Sequence, residues 1–364
     1  DPRKAQILWE QSPMGAKPSF RVAVLGATGV VGQWLVHLLD RHPWFRVVAL
    51  TGSDRSVGRP YGEACRWLLS APMPEWAARM VVQPTEPGFD AEIVLSALPS
   101  DIAREVEPRF AAAGYLVASN ASAHRMAADV PLLMPDVNFE HLGLLPRQRE
   151  ARGWPGALVT NPNCTTTAAV LPLKALMPYG VRRGHLVSLQ ALSGAGYPGV
   201  SAVEIADNVL PYIPGEEEKL ETEPRKLLGR LQDGKVEEAP MRLSAQTNRV
   251  PTLDGHLVCL SVELEEPIGP EDAIRAMTGY RPPEEVADLP SAVAQPIVVR
   301  MEPDRPQPRL DRMAGNGMSV VVGRVQRCPV FTLKFVALTH NTIRGAAGAA
   351  LFNAEATLRW MGRV

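Results

Sequence analysis

Two rhythms of apolar residues divide the chain. Residues 20–25 (FRVAVL) form a short, nearly continuous apolar run, the pattern of a strand covered on both faces. Past a glycine-rich stretch, Val31, Trp34, Leu35, Leu38 and Leu39 recur at helical spacing and predict a helix over 30–39. Further runs predict strands at 46–50, 91–98 and 115–119, and a helix over 102–112 that Ser100 is placed to cap. Strand and helix in alternation point to a parallel α/β sheet. From residue 185 the rhythm changes. Strand-like runs at 185–192, 242–250, 256–264, 296–300, 319–327 and 331–339 predict a second unit with a mixed or antiparallel sheet. Between them, 203–224 carries Pro211, Pro214, Gly215 and a GEEEK cluster. The last segment, 341–358, reads as an Ala-rich helix returning to the first unit.

A polar, Pro- and Gly-rich stretch at 140–157 marks the approach to the change of unit. The division drawn is 1–18 as an N-terminal extension, 19–160 as a first domain completed by 341–364, and 161–340 as a second. Met14 is a candidate natural start, with the residues before it an addition.

The glycines at 26, 29 and 32 sit between a strand and a helix. That placement allows a tight turn and close approach of a pyrophosphate to the helix N-terminus. It reads as a Rossmann-type dinucleotide site; the plainer reading is a turn that only lets the helix pack on the sheet. At the end of the second strand, an NAD enzyme usually has a carboxylate for the ribose. Here stand Thr51, Gly52, Ser53, Asp54 and Arg55. Ser53 and Arg55 suit a 2′-phosphate and favour NADP, although Asp54 does not, and the stretch also reads as an ordinary solvated loop.

Composition narrows the classes. A formal charge of −1 gives no general attraction to nucleic acid or a membrane surface. The 46% hydrophobic content of 364 residues supports a sizeable core, and the 34 prolines, scattered between apolar runs, act as fixed turns. Cys65, Cys164, Cys259 and Cys328 lie far apart, without a CxxC pair. That argues against a metal site or disulfide framework and for a reducing compartment, the cytoplasm. No apolar run reaches the ~18 residues of a membrane span, and 1–18 lacks the apolar core of a signal peptide.

Residues 158–173, LVTNPNCTTTAAVLPL, carry the chemistry. An apolar run ends at Thr160, Asn161 to Asn163 turn the chain, and Cys164 opens a helical segment. Unpaired N–H groups of a first helical turn favour a thiolate, the form that attacks carbonyl carbon. The alternative is a buried cysteine acting as a small hydrophobe. A thiolate beside a nicotinamide suggests redox chemistry through a thioester, which also needs a proton donor, an oxyanion stabiliser and orienting groups. Gln190, Arg249, His256, Arg125, Glu216 and Lys219 are candidates. Taken singly, each has a plain reading: His256 as a turn histidine, Arg249 as partner of a surface carboxylate, Glu217 and Glu218 as a solvated charge run. Cys65, Cys259 and Cys328 read as packing cysteines, and His37, His42, His141 and His185 as ordinary residues.

Ten ordered motifs from about residue 21 to 350 give the sequence a resemblance: GATGVVG, SALPSD, SNASAHR, DVPLLMPDVN, NPNCTT, LQALSGAGYPGVS, DNVLPYIPGEEEK, NRVPTLDGH, GNGMSVVVGR and HNTIRGAAG. It resembles the aspartate-β-semialdehyde dehydrogenases, the archaeal and fungal form in particular. The resemblance implies a Rossmann-type NADP domain followed by an α+β catalytic and dimerisation domain. It implies Cys164 as nucleophile, His256 as acid–base catalyst, Gln190 orienting the intermediate, and Asn163 near the oxyanion. Arg249 would grip the α-carboxylate and Glu216 the α-amino group; Arg125 and Lys219 would bind phosphate, with Asn120 alongside. Gly26, Thr28, Gly29, Val30 and Val31 would hold the cofactor. Ser96 and Gly194 would also bind the cofactor, and Asn341 and Thr342 would lie near its nicotinamide.

The implied reaction is NADPH-dependent reduction of β-aspartyl phosphate to the semialdehyde, on a homodimer or homotetramer. An acyl-CoA reductase such as malonyl-CoA reductase shares the scaffold, and N-acetyl-γ-glutamyl-phosphate reductase is a more distant relative. The Glu-x-x-Lys of GEEEK separates the first from these. A non-catalytic NADP-binding regulator is the reading of another class, opposed by Cys164, Gln190, Arg249 and His256 all being present.

Overall fold

The computed structural model describes residues 20–364; the N-terminal extension and Met14 lie outside the described residues. Strands β1 (Phe20–Leu25), β2 (Phe45–Leu50), β3 (Ile93–Ser96), β4 (Leu116–Ser119) and β5 (Ala157–Thr160) form a sheet of order β2-β1-β3-β4-β5. All its pairings are parallel. Successive residues of β1 enter different cores, which explains its unbroken apolar run. Val22 and Val24 join Leu35, Leu351 and Phe352 on one side; Ala23 and Leu25 join Phe110 and Leu158 on the other. The chain fills β1 and β2, then returns to place β3 on the other flank of β1. The crevice between the C-terminal ends of β1 and β3 is therefore a topological switch point, where such sheets bind ligands.

The second sheet contains β6 (Val181–Gln190), β9 (Arg242–Arg249), β10 (His256–Leu264), β11 (Ile297–Arg300), β12 (Val320–Arg327) and β13 (Leu333–Thr339). Its order is β11-β12-β13-β10-β6-β9, with parallel pairs at both edges and antiparallel ones between. A small hairpin, β7 (Arg230–Gln232) with β8 (Lys235–Glu237), stands apart. One face of the sheet packs on the helices Cys164–Leu176 and Pro270–Thr278 through Val170, Leu173, Leu260, Met277 and Phe335. On the opposite face Val187, Leu189 and Leu257 are half-buried and Cys259 is exposed.

Four expectations need correction. Ser100 does not cap: Pro99 occupies the N-cap, and Ser100 is the first residue of the helix Ser100–Ala112. Its hydroxyl instead pairs with Ser122 Oγ at 2.8 Å and accepts the Ser122 N–H at 3.0 Å. Glu217 is not merely solvated. It accepts the Thr247 N–H at 3.1 Å, and Glu221 accepts the Ala245 N–H at 2.9 Å. Both donors lie on β9, an edge strand, so the helix Glu216–Leu227 supplies by side chain the acceptors a further strand would give. Cys65 is buried, but Cys259 is exposed and Cys328 half-exposed, so these two are not core residues. The final Ala-rich segment opens with a π-helical turn, Ile343–Ala347, before the α-helix Gly348–Trp360.

Candidate active site

The setting of Cys164 is built from Asn163 outward. Asn163 is the N-cap of the helix Cys164–Leu176; its Oδ1 accepts the Thr165 N–H at 2.9 Å and the Thr166 N–H at 3.4 Å. Its Nδ2 donates to both carboxylate oxygens of Glu216, at 3.0 and 2.9 Å. The Asn163 amide, expected near the oxyanion, is thus committed to Glu216. Glu216 also accepts from Lys219 Nζ at 2.7 Å and from Gln190 Nε2 at 3.2 Å. Arg125 is buried, donating to Glu223 at 3.0 Å and to the Asn120 carbonyl at 2.8 Å. Both cations expected to meet phosphate are therefore carboxylate-paired.

The facing wall comes from three strand ends. Gln190 and Arg249 are register partners at the ends of β6 and β9, and His256 opens β10, whose Leu257 pairs with Leu189. Ala191 ties two of them together. Its carbonyl accepts from Arg249 Nη1 at 2.7 Å, and its N–H donates to His256 Nδ1 at 3.0 Å. Gly194 lies over the pair: a Cβ there would sit 2.9 Å from His256 Nε2 and 3.0 Å from Arg249 Nη1.

Electrostatics revise one expectation. The Cys164 thiol is pushed up to about 12, first by burial and then by the Glu216 carboxylate. Arg125, Arg249 and Lys219 pull the other way without prevailing. The first helical turn alone does not make a standing thiolate here. Burial, with Arg249 and His340 adding repulsion, lowers His256 to about 3, so its ring is neutral.

The cofactor loop has the shape of a phosphate cradle. Gly26 has a φ of +69°, and a Cβ on it would meet the Ala97 carbonyl oxygen at 2.8 Å. A Cβ on Gly32 would lie 2.3 Å from the Gly26 carbonyl oxygen, so the helix can rest on the turn only as glycine. Gly29 is the N-cap of the helix Val30–Leu39 with no side-chain cap, so Val30 and Val31 begin a first turn whose N–H groups no capping side chain takes. Thr28 lies between these glycines. Ser53, Asp54 and Arg55 form an exposed turn past β2. Ser96 ends β3 with its side chain buried, and Asn120 Nδ2 donates to its carbonyl at 2.8 Å. Asn341 accepts the Gly255 N–H at 2.8 Å and donates to Ser193 Oγ at 2.8 Å, joining the Gly194 loop to the turn before His256. Thr342 Oγ1 pairs with His340 Nδ1 at 3.2 Å. These residues fit a dinucleotide reaching from the Gly26 turn toward Gly194.

Two family models match the chain: semialdehyde dehydrogenase NAD-binding domain over residues 21–145, and semialdehyde dehydrogenase dimerisation domain over 172–344. The chain belongs to the semialdehyde dehydrogenase family. An aspartate-semialdehyde dehydrogenase of Archaeoglobus fulgidus is 53% identical over 341 residues, covering 93% of this chain and 98% of that one. A malonyl-CoA reductase (NADP) of Metallosphaera sedula is 38% identical over 93% of this chain and 96% of its own. A crystal structure of aspartate semialdehyde dehydrogenase with NADP from Candida albicans superposes with a TM-score of 0.86, at 38% identity, over 95% of this chain and all of that one.

Five residues of this semialdehyde dehydrogenase site escaped the sequence reading. Glu223 and Lys226 fall 7 and 10 residues after Glu216, so the helix face of Glu216 was the available signal. Glu223 accepts the Asn163 N–H at 2.7 Å. Lys226 Nζ donates to the carbonyls of Arg125, Ala127 and Val130 at 2.7, 2.8 and 2.9 Å. Ala191 works through its peptide groups, which no side chain advertises. His340 borders His256 from the strand end before Asn341. Gly345 packs so closely that a Cβ on it would lie 2.5 Å from Cys164 Cβ.

Proposed function

We propose that this semialdehyde dehydrogenase reduces L-β-aspartyl phosphate to L-aspartate 4-semialdehyde with NADPH, through a thioester on Cys164, in the route to lysine, threonine and methionine. The observation that carries this reading is the Glu216 carboxylate, which meets Asn163, Gln190 and Lys219 at the mouth of the Cys164 helix. It gives an amino-acid ammonium an anion beside the nucleophile, with a cation one turn away for phosphate. Arg249 suits the α-carboxylate as a planar, buried guanidinium. Lys219 and Arg125 hold the departing phosphate. Because the Cys164 thiol is pushed up, its proton leaves as the carbon–sulfur bond forms, and the departing phosphate is the base the reaction itself supplies. Gln190 orients the acyl group, and His256 faces its oxygen. NADPH, when bound, supplies the hydride that reduces the thioester. Gly26, Thr28, Gly29, Val30 and Val31 hold its pyrophosphate, Ser53 and Arg55 its 2′-phosphate, and Ser96, Gly194, Asn341 and Thr342 border its nicotinamide.

The division at residues 160 and 161, with 341–364 returning to the first domain, is part of the same reading. The family's dimerisation domain makes the chain a homo-oligomer; we assign the open face of the mixed sheet to a homodimer, two of which would build a tetramer. No helix among the described residues is long and apolar enough to cross a membrane, and we place the enzyme in the cytoplasm.

The test is phosphate-dependent reduction of NADP by aspartate semialdehyde, run beside malonyl-CoA with NADPH. Lys219→Ala should raise the KM for phosphate by about 10- to 150-fold, the worth of one charge-assisted contact, and leave the KM for NADP in place. Turnover of malonyl-CoA without the phosphate-dependent reaction would replace this reading with acyl-CoA reduction.

A further inference from the structure

One carboxylate touches both halves of the acyl-transfer site. Glu223 Oε1 accepts from Arg125 Nη1 at 3.0 Å, and Oε2 accepts the Asn163 N–H at 2.7 Å. The pair is secluded: the Glu223 side chain is 2% exposed and that of Arg125 8%. Asn163 is the residue immediately before Cys164 and caps its helix. Arg125 has few other constraints. Its Nη2 reaches the Asn120 carbonyl, and its Nε is buried without a partner. Remove Glu223 and the guanidinium keeps its hydrogen bond to the Asn120 carbonyl, while the cap loses the acceptor of its own N–H.

We propose that Glu223 is a positioning residue, fixing the separation between the Arg125 guanidinium that receives the leaving phosphate and the Cys164 sulfur that attacks. The inference rests on the acyl-phosphate reading above. Its logic is geometric. Addition of the sulfur to the acyl carbon and expulsion of phosphate from the tetrahedral adduct need nucleophile and leaving-group cation at a set spacing, and errors near 1 Å can cost ~100-fold. Arg125 sits on a loop and Cys164 on a helix entry, two elements far apart in the chain. Glu223 bonds one with each oxygen, and Lys226, one turn on, clamps the same loop through three carbonyls. The helix Glu216–Leu227 thereby carries the substrate-side carboxylate at its start and the spacer in its third turn.

Glu223→Gln keeps the shape and removes the charge. The amide oxygen can serve one donor, and its NH2 group then faces the other, so one of the two bonds is lost. The variant should lower kcat of the phosphate-dependent reaction by about 10- to 100-fold and raise the phosphate KM, with NADP affinity within about twofold. Rates are referred to the fraction of enzyme that binds NADP, which removes misfolded protein from the comparison. The discriminating measurement is the double-mutant cycle with Arg125→Ala. A residue acting through Arg125 gives losses that do not multiply; a purely structural residue gives losses that do. Fully multiplicative losses, or a Glu223→Gln enzyme with kcat and phosphate KM within about twofold of wild type, overturn the proposal. The acyl-phosphate reading fails separately and visibly, through a wild-type enzyme that shows no phosphate-dependent turnover.

Discussion

The Ala191 N–H points at His256 Nδ1 from 3.0 Å, and a peptide N–H can only donate. Nδ1 is therefore an acceptor, the neutral ring carries its proton on Nε2, and an imidazolium would set two donors against each other. Burial adds to this by holding the ring's pKa near 3. His256 should then offer its Nε2–H to the acyl oxygen as it gains charge, in the manner of an oxyanion-hole donor. Nitrogen NMR of labelled enzyme should show the neutral Nε2–H form across about pH 5 to 8, without the titration of an ordinary histidine near ~6.5. His256→Ala should cost about 100- to 1,000-fold in kcat, and His256→Gln, which keeps a donor near the same place, clearly less. A His256 resonance titrating between pH 6 and 7 would exclude this role.

Cys164→Ser should lose nearly all turnover while binding NADP as before, and mass spectrometry should find no acyl adduct on it. Retention of more than about a tenth of the wild-type rate would end the covalent mechanism. The state of the thiol is also measurable. Because burial and Glu216 raise it, alkylation of Cys164 should accelerate through pH 9 without reaching a plateau. Glu216→Gln removes one of the two causes, so the alkylation profile should move to lower pH.

Gly345→Ala tests the contact behind the nucleophile. The added Cβ would come within 2.5 Å of Cys164 Cβ and 2.9 Å of its Cα, so one of the two segments must shift. We expect a loss of about 1–3 kcal/mol of stability from overpacking, together with a fall in kcat larger than any change in KM. Unchanged kcat with normal stability would mean that the π-helical turn yields freely.

Arg55→Ala should narrow the preference for NADP over NAD by about 10-fold, the worth of one modest charged contact. Titration of both cofactors decides it. An unchanged ratio would return the exposed Ser53–Arg55 turn to the status of a plain loop.

Buried Glu107 predicts a pH dependence of stability. Burial raises its carboxyl to about 7, against the pull of Ser119, Ser96 and Arg125. A carboxyl whose folded pKa lies above its unfolded one favours folding in its protonated form. Its contribution is complete below about pH 4.5 and is lost as pH rises through 7. Glu107→Gln imitates the protonated group and should flatten that part of the stability curve in denaturant titrations from pH 5 to 8. An unchanged slope would assign the pH dependence elsewhere.

Legibility in the sequence followed the kind of physics involved. Apolar periodicity placed β10 at 256–264 and the helix at 30–39 with the bounds found. It did so because those elements bury side chains on defined faces. The Gly26 turn was legible because its geometry excludes a Cβ. Ser100 misled because a good capping residue beside Pro99 yields to the proline's own fixed φ. The thiol's acidity was misjudged because it depends on Glu216 and on burial, neither of which adjoins Cys164 in sequence. Ala191 and Gly345 were invisible because they act through backbone and through lack of bulk.

The helix Glu216–Leu227 has a consequence for how this site can drift. Glu216, Lys219, Glu223 and Lys226 share one face of the helix, an arc of about 80°, only because their separations are 3, 4 and 3 residues. Each residue of an α-helix turns the chain by about 100° and advances it about 1.5 Å. Deleting the exposed Glu218 would leave every one of those side chains chemically intact. It would nonetheless swing Glu223 and Lys226 a quarter-turn and more away from Arg125 relative to Glu216. The geometry of this face therefore depends on the length of the segment as much as on the identity of its residues.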